Sequence, residues 1–107
     1  MSNANFLQAF EQLMQKMPLM DVPTIICGDF NANLLSDQSI SKDLKALSQH
    51  YQLHQCVQSP THKRGALLDH VYTNCHNDES LVDVAAVPYS DHCLITAAID
   101  ISNCTLN

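Results

Sequence analysis

The sequence predicts an α/β (α+β) fold: a β-sheet of mixed strand directions carrying two helices. Three observations lead there. Apolar residues recur twice at helical spacing, once near the start of the chain and once before its middle. Short β-branched or apolar runs are bounded by Gly, Pro and polar clusters. The order is helix, strand, helix and then several strands, with neither an internal repeat nor a linker. The first helix rests on Phe6, Leu7, Phe10, Leu13, Met14 and Met17, spaced by threes and fours, and closes near Pro18. Its methionines read as adaptable core packing. Asp21-Val22-Pro23 breaks the pattern, and Thr24-Ile25-Ile26-Cys27 reads as a buried strand ended by Gly28. Asp29, Phe30 and Asn31 then sit at a strand's carboxyl end, where α/β proteins commonly place chemistry.

A second helix takes Ser39 or Ser41 as its cap and carries Leu44, Leu47, Ile40 and Tyr51 on one face. Residues 53–57 form a short strand and 58–65 a polar loop containing His62, Lys63 and Arg64. Residues 66–72 read as a central strand, 81–87 as another stopped by Pro88, and 93–101 as the last.

Composition narrows the function classes. A chain of 107 residues, 46% apolar and 15% charged, is globular and amounts to one small domain or a piece of a larger one. Five basic against eleven acidic residues give a net charge of −6, which excludes a basic module that coats nucleic acid. It leaves room for an enzyme that reaches phosphate through a divalent metal held by carboxylates. No apolar stretch is long enough for a membrane span or a signal segment. The odd set of cysteines (Cys27, Cys56, Cys75, Cys93, Cys104) lacks any Cys-x-x-Cys pair and reads as reduced thiols in an intracellular compartment, nuclear or cytoplasmic. Asn103-Cys104-Thr105 fits a glycosylation acceptor but lies at the C-terminus and is discounted.

Three polar clusters interrupt the apolar strands: Asp29 with Asn31, Asp69 with His70, and Asp91 with His92. A carboxylate in such a place is costly to desolvate unless it meets a metal, a cation or hydrogen-bond donors. Hard cations such as Mg²⁺ take carboxylate oxygens, an Asn can orient water or phosphate, and a His held by an Asp can donate to a phosphoryl oxygen. Those are the parts of metal-assisted phosphodiester hydrolysis. Any single Asp here also reads as a turn former or helix cap; the conjunction shifts the balance.

The motifs then point to a family. Ile25-Ile26-Cys27-Gly28-Asp29-Phe30-Asn31 resembles the "GDFN" signature of the endonuclease/exonuclease/phosphatase superfamily, which includes apurinic endonucleases, deoxyribonuclease I-like nucleases and retrotransposon endonucleases. Leu68-Asp69-His70-Val71-Tyr72 is similar to its "iDyv" strand, and Ser90-Asp91-His92-Cys93-Leu94-Ile95 to its terminal "SDHxxl" motif. Ser59-Pro60-Thr61 resembles the family's "PT" segment. The nearest variant is the endonuclease-like domain carried by mobile elements. The family fold is a four-layer αββα sandwich of two facing sheets, and the resemblance covers its C-terminal half. The half that in the family supplies an Asn, the metal-binding Glu and further Tyr and His groups has no match before Phe6. The expectation is therefore one partial domain over residues 1–107. An apolar sheet face is then left to self-association or to pairing with a missing N-terminal half.

The resemblance also implies roles. Asp29 orients or deprotonates the attacking water, and Asn31 holds the phosphate and that water. Asp91 sits by the metal site with Asp29 and Asn31, the metal being Mg²⁺ or Mn²⁺. His92 hydrogen-bonds the scissile phosphate and Asp69 orients His92. Lys63 and Arg64 could touch the backbone of a DNA or RNA substrate, although two loop cations are more often simply solvated. His70 points to the opposite face from Asp69 and reads as structural or exposed. A zinc site from His54, Cys56, Cys75, His76, His92 and Cys93 lacks the paired spacing such sites need. Two alternatives stay open: a catalytically inactive remnant serving as a binding module, and a phosphoinositide or small-molecule phosphodiesterase of the same fold.

Overall fold

A computed structural model describes residues 3–18, 21–75 and 81–101. Helix α1 (Asn3–Lys16) is followed by β1 (Ile25–Asp29), α2 (Ser39–His50), β2 (His54–Gln55), β3 (Asp69–Thr73), β4 (Leu81–Ala85) and β5 (Leu94–Ala98). The α+β class with two helices holds. The strand directions do not mix: β3 lies between β1 and β2 and runs antiparallel to both, and β4 pairs antiparallel with β5 in a second sheet. The connection from β4 to β5 is too short for the crossover that a parallel pair requires.

Side-chain alternation on β3 sorts the molecule into layers. Tyr72 faces the helices, in a cluster with Phe10 and Met14 of α1, Ile40 and Leu44 of α2, Ala32 and Leu53. Phe30 joins this cluster and stacks flat on the His70 ring, with centroids 4.7 Å apart. Val71, one residue on, faces the other way with Leu34, Cys56, Val57 and Leu67, and Val82, Val84 and Ile95 of the second sheet pack against them. Leu44 and Tyr72 are at most 1% exposed, and burying a large apolar side chain stabilises by about 1.5–3 kcal/mol.

Several boundaries move for local reasons. β1 passes through Gly28 to Asp29, because Gly28 pairs with His70 and Asp29 with Asp69 in the ladder. β3 starts at Asp69, where side chains take the incoming amides: Leu67 N–H donates to Asn33 Oδ1 at 2.9 Å, and the Leu68 and Asp69 N–H groups to Thr61 Oγ1 at 3.0 Å. β2 is cut to two residues because the Gln55 side chain folds back onto Val57, accepting its N–H at 2.7 Å and donating to its carbonyl at 2.6 Å. Neither serine caps α2: Gln38 holds the N-cap without a side-chain bond, and Ser41 Oγ donates to Asn33 O at 2.6 Å.

The thiol expectation needs one correction. Cys75 is disulfide-bonded, while Cys27, Cys56 and Cys93 are free. An odd cysteine count with no Cys-x-x-Cys pair carries no signal for a bridge, so the sequence pattern could not reveal it. The Asn103 acceptor and His76 also lie outside the described residues. Among the described residues no helix is long and apolar enough to cross a membrane.

Candidate active site

The site grows from the last residue of β1 and the first of β3. Asp29 and Asp69 are ladder partners at the open end of the three-stranded sheet, so their carboxylates share the face turned away from the helices. Beyond Asp29 the chain turns sharply. Asn31 adopts φ 50°, a left-handed conformation that Asn tolerates, and its N–H donates to Asp29 Oδ1 at 2.9 Å. This Asx turn pins one carboxylate oxygen and leaves Oδ2 for other partners.

His92 comes from the segment before β5 and meets both carboxylates. Its Nδ1 lies 2.8 Å from Asp69 Oδ2 and its Nε2 3.7 Å from Asp29 Oδ2. A carboxylate can only accept, so Nδ1 carries the proton and Nε2 is free to take or give one. The Asp69 hydrogen bond, reinforced by the charges of Asp69, Asp29 and Asp91, holds the His92 pKa above its ordinary 6.5 against a smaller effect of desolvation. Asp29, Asp69 and His92 each offer one ligand atom, and these atoms lie within 4.8 Å of one another.

Asp91 and Asn31 stand differently. The Asp91 side chain is 74% exposed and its Oδ1 lies 3.8 Å from Lys63 Nζ, so this carboxylate is turned to a loop cation outside the trio. Asn31 adjoins the trio through its backbone bond to Asp29. Lys63 is thereby engaged in an ion pair, and Arg64 is exposed in the same turn. Gly65 closes that turn at φ 87°, with its N–H donating to His62 O at 2.9 Å, a conformation in which a side chain would be strained.

His70 is a structural residue on the far face. It is 1% exposed, with Nδ1 at 2.9 Å from the Tyr72 hydroxyl and Nε2 at 2.9 Å from the Ala32 carbonyl. The carbonyl requires Nε2–H, so Nδ1 accepts from the tyrosine. Burial pushes the His70 pKa below 6.5, outweighing the carbonyl bonds and nearby carboxylates that raise it.

Two residues near the site carried no role in the sequence reading. Thr61 is fully buried and bonds both site segments, and the His62 ring meets the His92 ring edge to face with centroids 5.1 Å apart. Their links to the His92 segment cross some thirty residues of chain, where periodicity and spacing are silent; the one sequence signal for Thr61 is its place in the Ser59-Pro60-Thr61 motif. Beside the carboxylates a cleft of about 390 Å³ runs along β1 and β5, walled by Ile25, Cys27, Val71, Ile95 and Ala97.

The trio suits a hard divalent cation that keeps most of its water, since Mg²⁺ typically binds through one or two carboxylates. Asp29 would be the first such ligand. Asp69 has one oxygen committed to His92, and carboxylate oxygens suit Mg²⁺ and Mn²⁺ alike.

Comparison with known proteins gives one match: a sequence model of the Endonuclease/Exonuclease/phosphatase family fits residues 1–92. No curated protein and no solved structure matches the chain.

Proposed function

The chain belongs to the endonuclease/exonuclease/phosphatase family, and from that premise we propose that Asp29, Asn31, Asp69, Asp91 and His92 form its hydrolytic site for phosphodiesters. The family's class is a metal-dependent phosphodiesterase- or nuclease-type hydrolase. Within it, our reading is a DNA endonuclease of mobile-element type. The observation that supports the site is His92 held by Asp69 at 2.8 Å on one nitrogen, with Asp29 at 3.7 Å from the other.

A metal ion beside Asp29 would supply Lewis-acid stabilisation of charge on the phosphoryl group, with Asn31 next to it and Asp91 joining only on release from Lys63. The chain's own groups do the rest. Asp29 orients a water and accepts its proton as the water oxygen bonds to phosphorus. The ester P–O bond breaks, and the leaving oxygen takes a proton from solvent. Protonated His92 donates Nε2–H to a non-bridging oxygen where negative charge builds. Asp69 keeps the ring aimed and favours its charged form, a contribution on the order of 10²–10⁴-fold for a positioned acid or base. Asn31 holds the phosphate through its amide, while Lys63 and Arg64 meet the flanking backbone of a DNA or RNA strand.

The test is a substrate panel on the full chain: supercoiled plasmid, single-stranded RNA, a phosphoinositide and a small phosphodiester, each with Mg²⁺, Mn²⁺ or chelator. Metal-dependent nicking of plasmid that D29N and H92Q abolish is the expected result. Turnover indifferent to both substitutions would sink this site. Preference for the phosphoinositide or the small diester would move the substrate assignment and leave the site in place.

A second reading, a binding module without turnover, draws on one observation: Asp91 is paired with Lys63 and stands outside the trio. It predicts oligonucleotide binding without nicking under every metal condition.

A further inference from the structure

Thr61 is a buried polar residue whose bonds run in two directions. It is 0% exposed, and its hydroxyl oxygen accepts the N–H groups of Leu68 and Asp69, both at 3.0 Å. Its carbonyl accepts the Cys93 N–H at 2.7 Å. Through the side chain it therefore grips the first residue of β3, which carries the Asp69 carboxylate. Through the backbone it grips the residue after His92. The next residues extend the same seam: His62 forms a β-bridge with His92, and Lys63 N–H donates to Asp91 O at 2.9 Å.

No ladder bond joins β3 to the segment carrying His92; the strands of the two sheets pair only within their own sheets. The Asp69–His92 contact at 2.8 Å thus spans two separately paired pieces of chain, and Thr61 bonds to both. An apolar residue of the same shape would fill the space. A hydroxyl there answers a need for an acceptor, because two part-buried N–H groups otherwise lose their partner in the chain.

We propose that Thr61 is a positioning residue for the Asp69–His92 pair, setting the distance and angle at which Asp69 takes the Nδ1 proton of His92. The inference rests on reading that pair as hydrolytic, but its test observes the pair directly. A displacement of about 1 Å in a reacting group costs on the order of 10²-fold in rate. Thr61→Val, which keeps shape and removes the acceptor, lowers kcat by about that factor with KM unchanged. Thr61→Ser restores it.

The decisive readout needs no turnover. At a pH where His92 is neutral, ¹⁵N correlation spectra of its ring report which nitrogen bears the proton. The wild-type chain and T61S show Nδ1–H, D69N shows the ordinary preference for Nε2–H, and T61V follows D69N. A T61V spectrum identical to wild type, with kcat unchanged, overturns the role of Thr61 and leaves the pair standing. A wild-type ring already in the Nε2–H form overturns the pair, and the hydrolytic reading falls with it. Amide exchange in the wild-type chain gives a check that needs no variant to fold. The Leu68 and Asp69 N–H groups exchange slowly if Thr61 holds them, and fast exchange at both overturns the proposal.

Discussion

The two faces of β3 carry two histidine environments that differ in almost every respect. On the helix side His70 is sealed beneath Phe30, bonded at both nitrogens to neutral partners and pushed toward the uncharged form. On the other side Asp69 reaches a half-exposed His92 and pulls it toward the charged form. Adjacent residues of one strand thus feed a closed aromatic core and an open polar site. The difference shows that what decides a histidine's task is the charge of its partner and its access to water. Burial without a counter-charge makes His70 a fixed hydrogen-bonding strut, and a carboxylate partner holds His92 toward its charged form.

The sharpest way to break this contrast is Asp69→Asn. It should lower kcat on the order of 10²–10⁴-fold while far-ultraviolet circular dichroism stays unchanged, and the His92 pKa should fall toward its ordinary value by NMR titration. An unaltered rate would mean that His92 needs no orienting carboxylate.

Next in size is the opposite face. His70→Phe leaves the Tyr72 hydroxyl and the Ala32 carbonyl without their partner and should cost about 1–3 kcal/mol in urea unfolding. His92 ring signals should not move. If they do, the two faces are coupled and the contrast is too simple.

The pH dependence of stability separates the histidines by sign. His92 has a raised folded pKa, so its contribution is fully present below its unfolded value of about 6.5 and is lost as pH rises through the folded value. His70 has a lowered folded pKa, so the folded state resists its protonation. Stability is lost as pH falls below about 6.5 toward that folded value. Urea midpoints measured across neutrality should lose their alkaline-side decline in D69N and part of their acid-side decline in H70F. The reverse pattern would mean that the two assignments are exchanged.

The smallest expected effect is at the rim. Lys63→Ala removes a solvent-exposed ion pair with Asp91 and should change stability by roughly 0–1 kcal/mol at low salt, with no difference left in 1 M salt. A larger, salt-resistant loss would show that the pair is part of the site's framework.

Much of this arrangement could be read from residue order. Alternation on either side of Asp69 put His70 on the opposite face, and the spacing in α1 and α2 named Phe10, Met14, Ile40 and Leu44, all of which are buried. Strand ends were read less well. Side chains of Asn33, Thr61 and Gln55 take up backbone groups that would otherwise extend the ladders, and no periodicity reports such competition. Asp91 shows the same limit at the site. Its place beside His92 in the chain says nothing of Lys63, which reaches it only because the 61–63 segment runs along 91–93.

By itself, then, the sequence determined the class of fold, the two faces of the Asp69 strand and the family to which its three polar motifs belong, because these depend on local spacing and on residue type. Its reading of Thr24-Ile25-Ile26-Cys27 as a buried strand fails, since β1 is mostly exposed. Tertiary structure alone decided that Asp91 turns to Lys63, away from the convergence of Asp29, Asp69 and His92 that the family resemblance implies. It also decided that one histidine is sealed and the other poised, and that Cys75 is bridged. Each of these depends on distances between segments far apart in the chain. Such distances are set by which side chains win the competition for buried donors and acceptors, and that outcome exists only once the layers have packed.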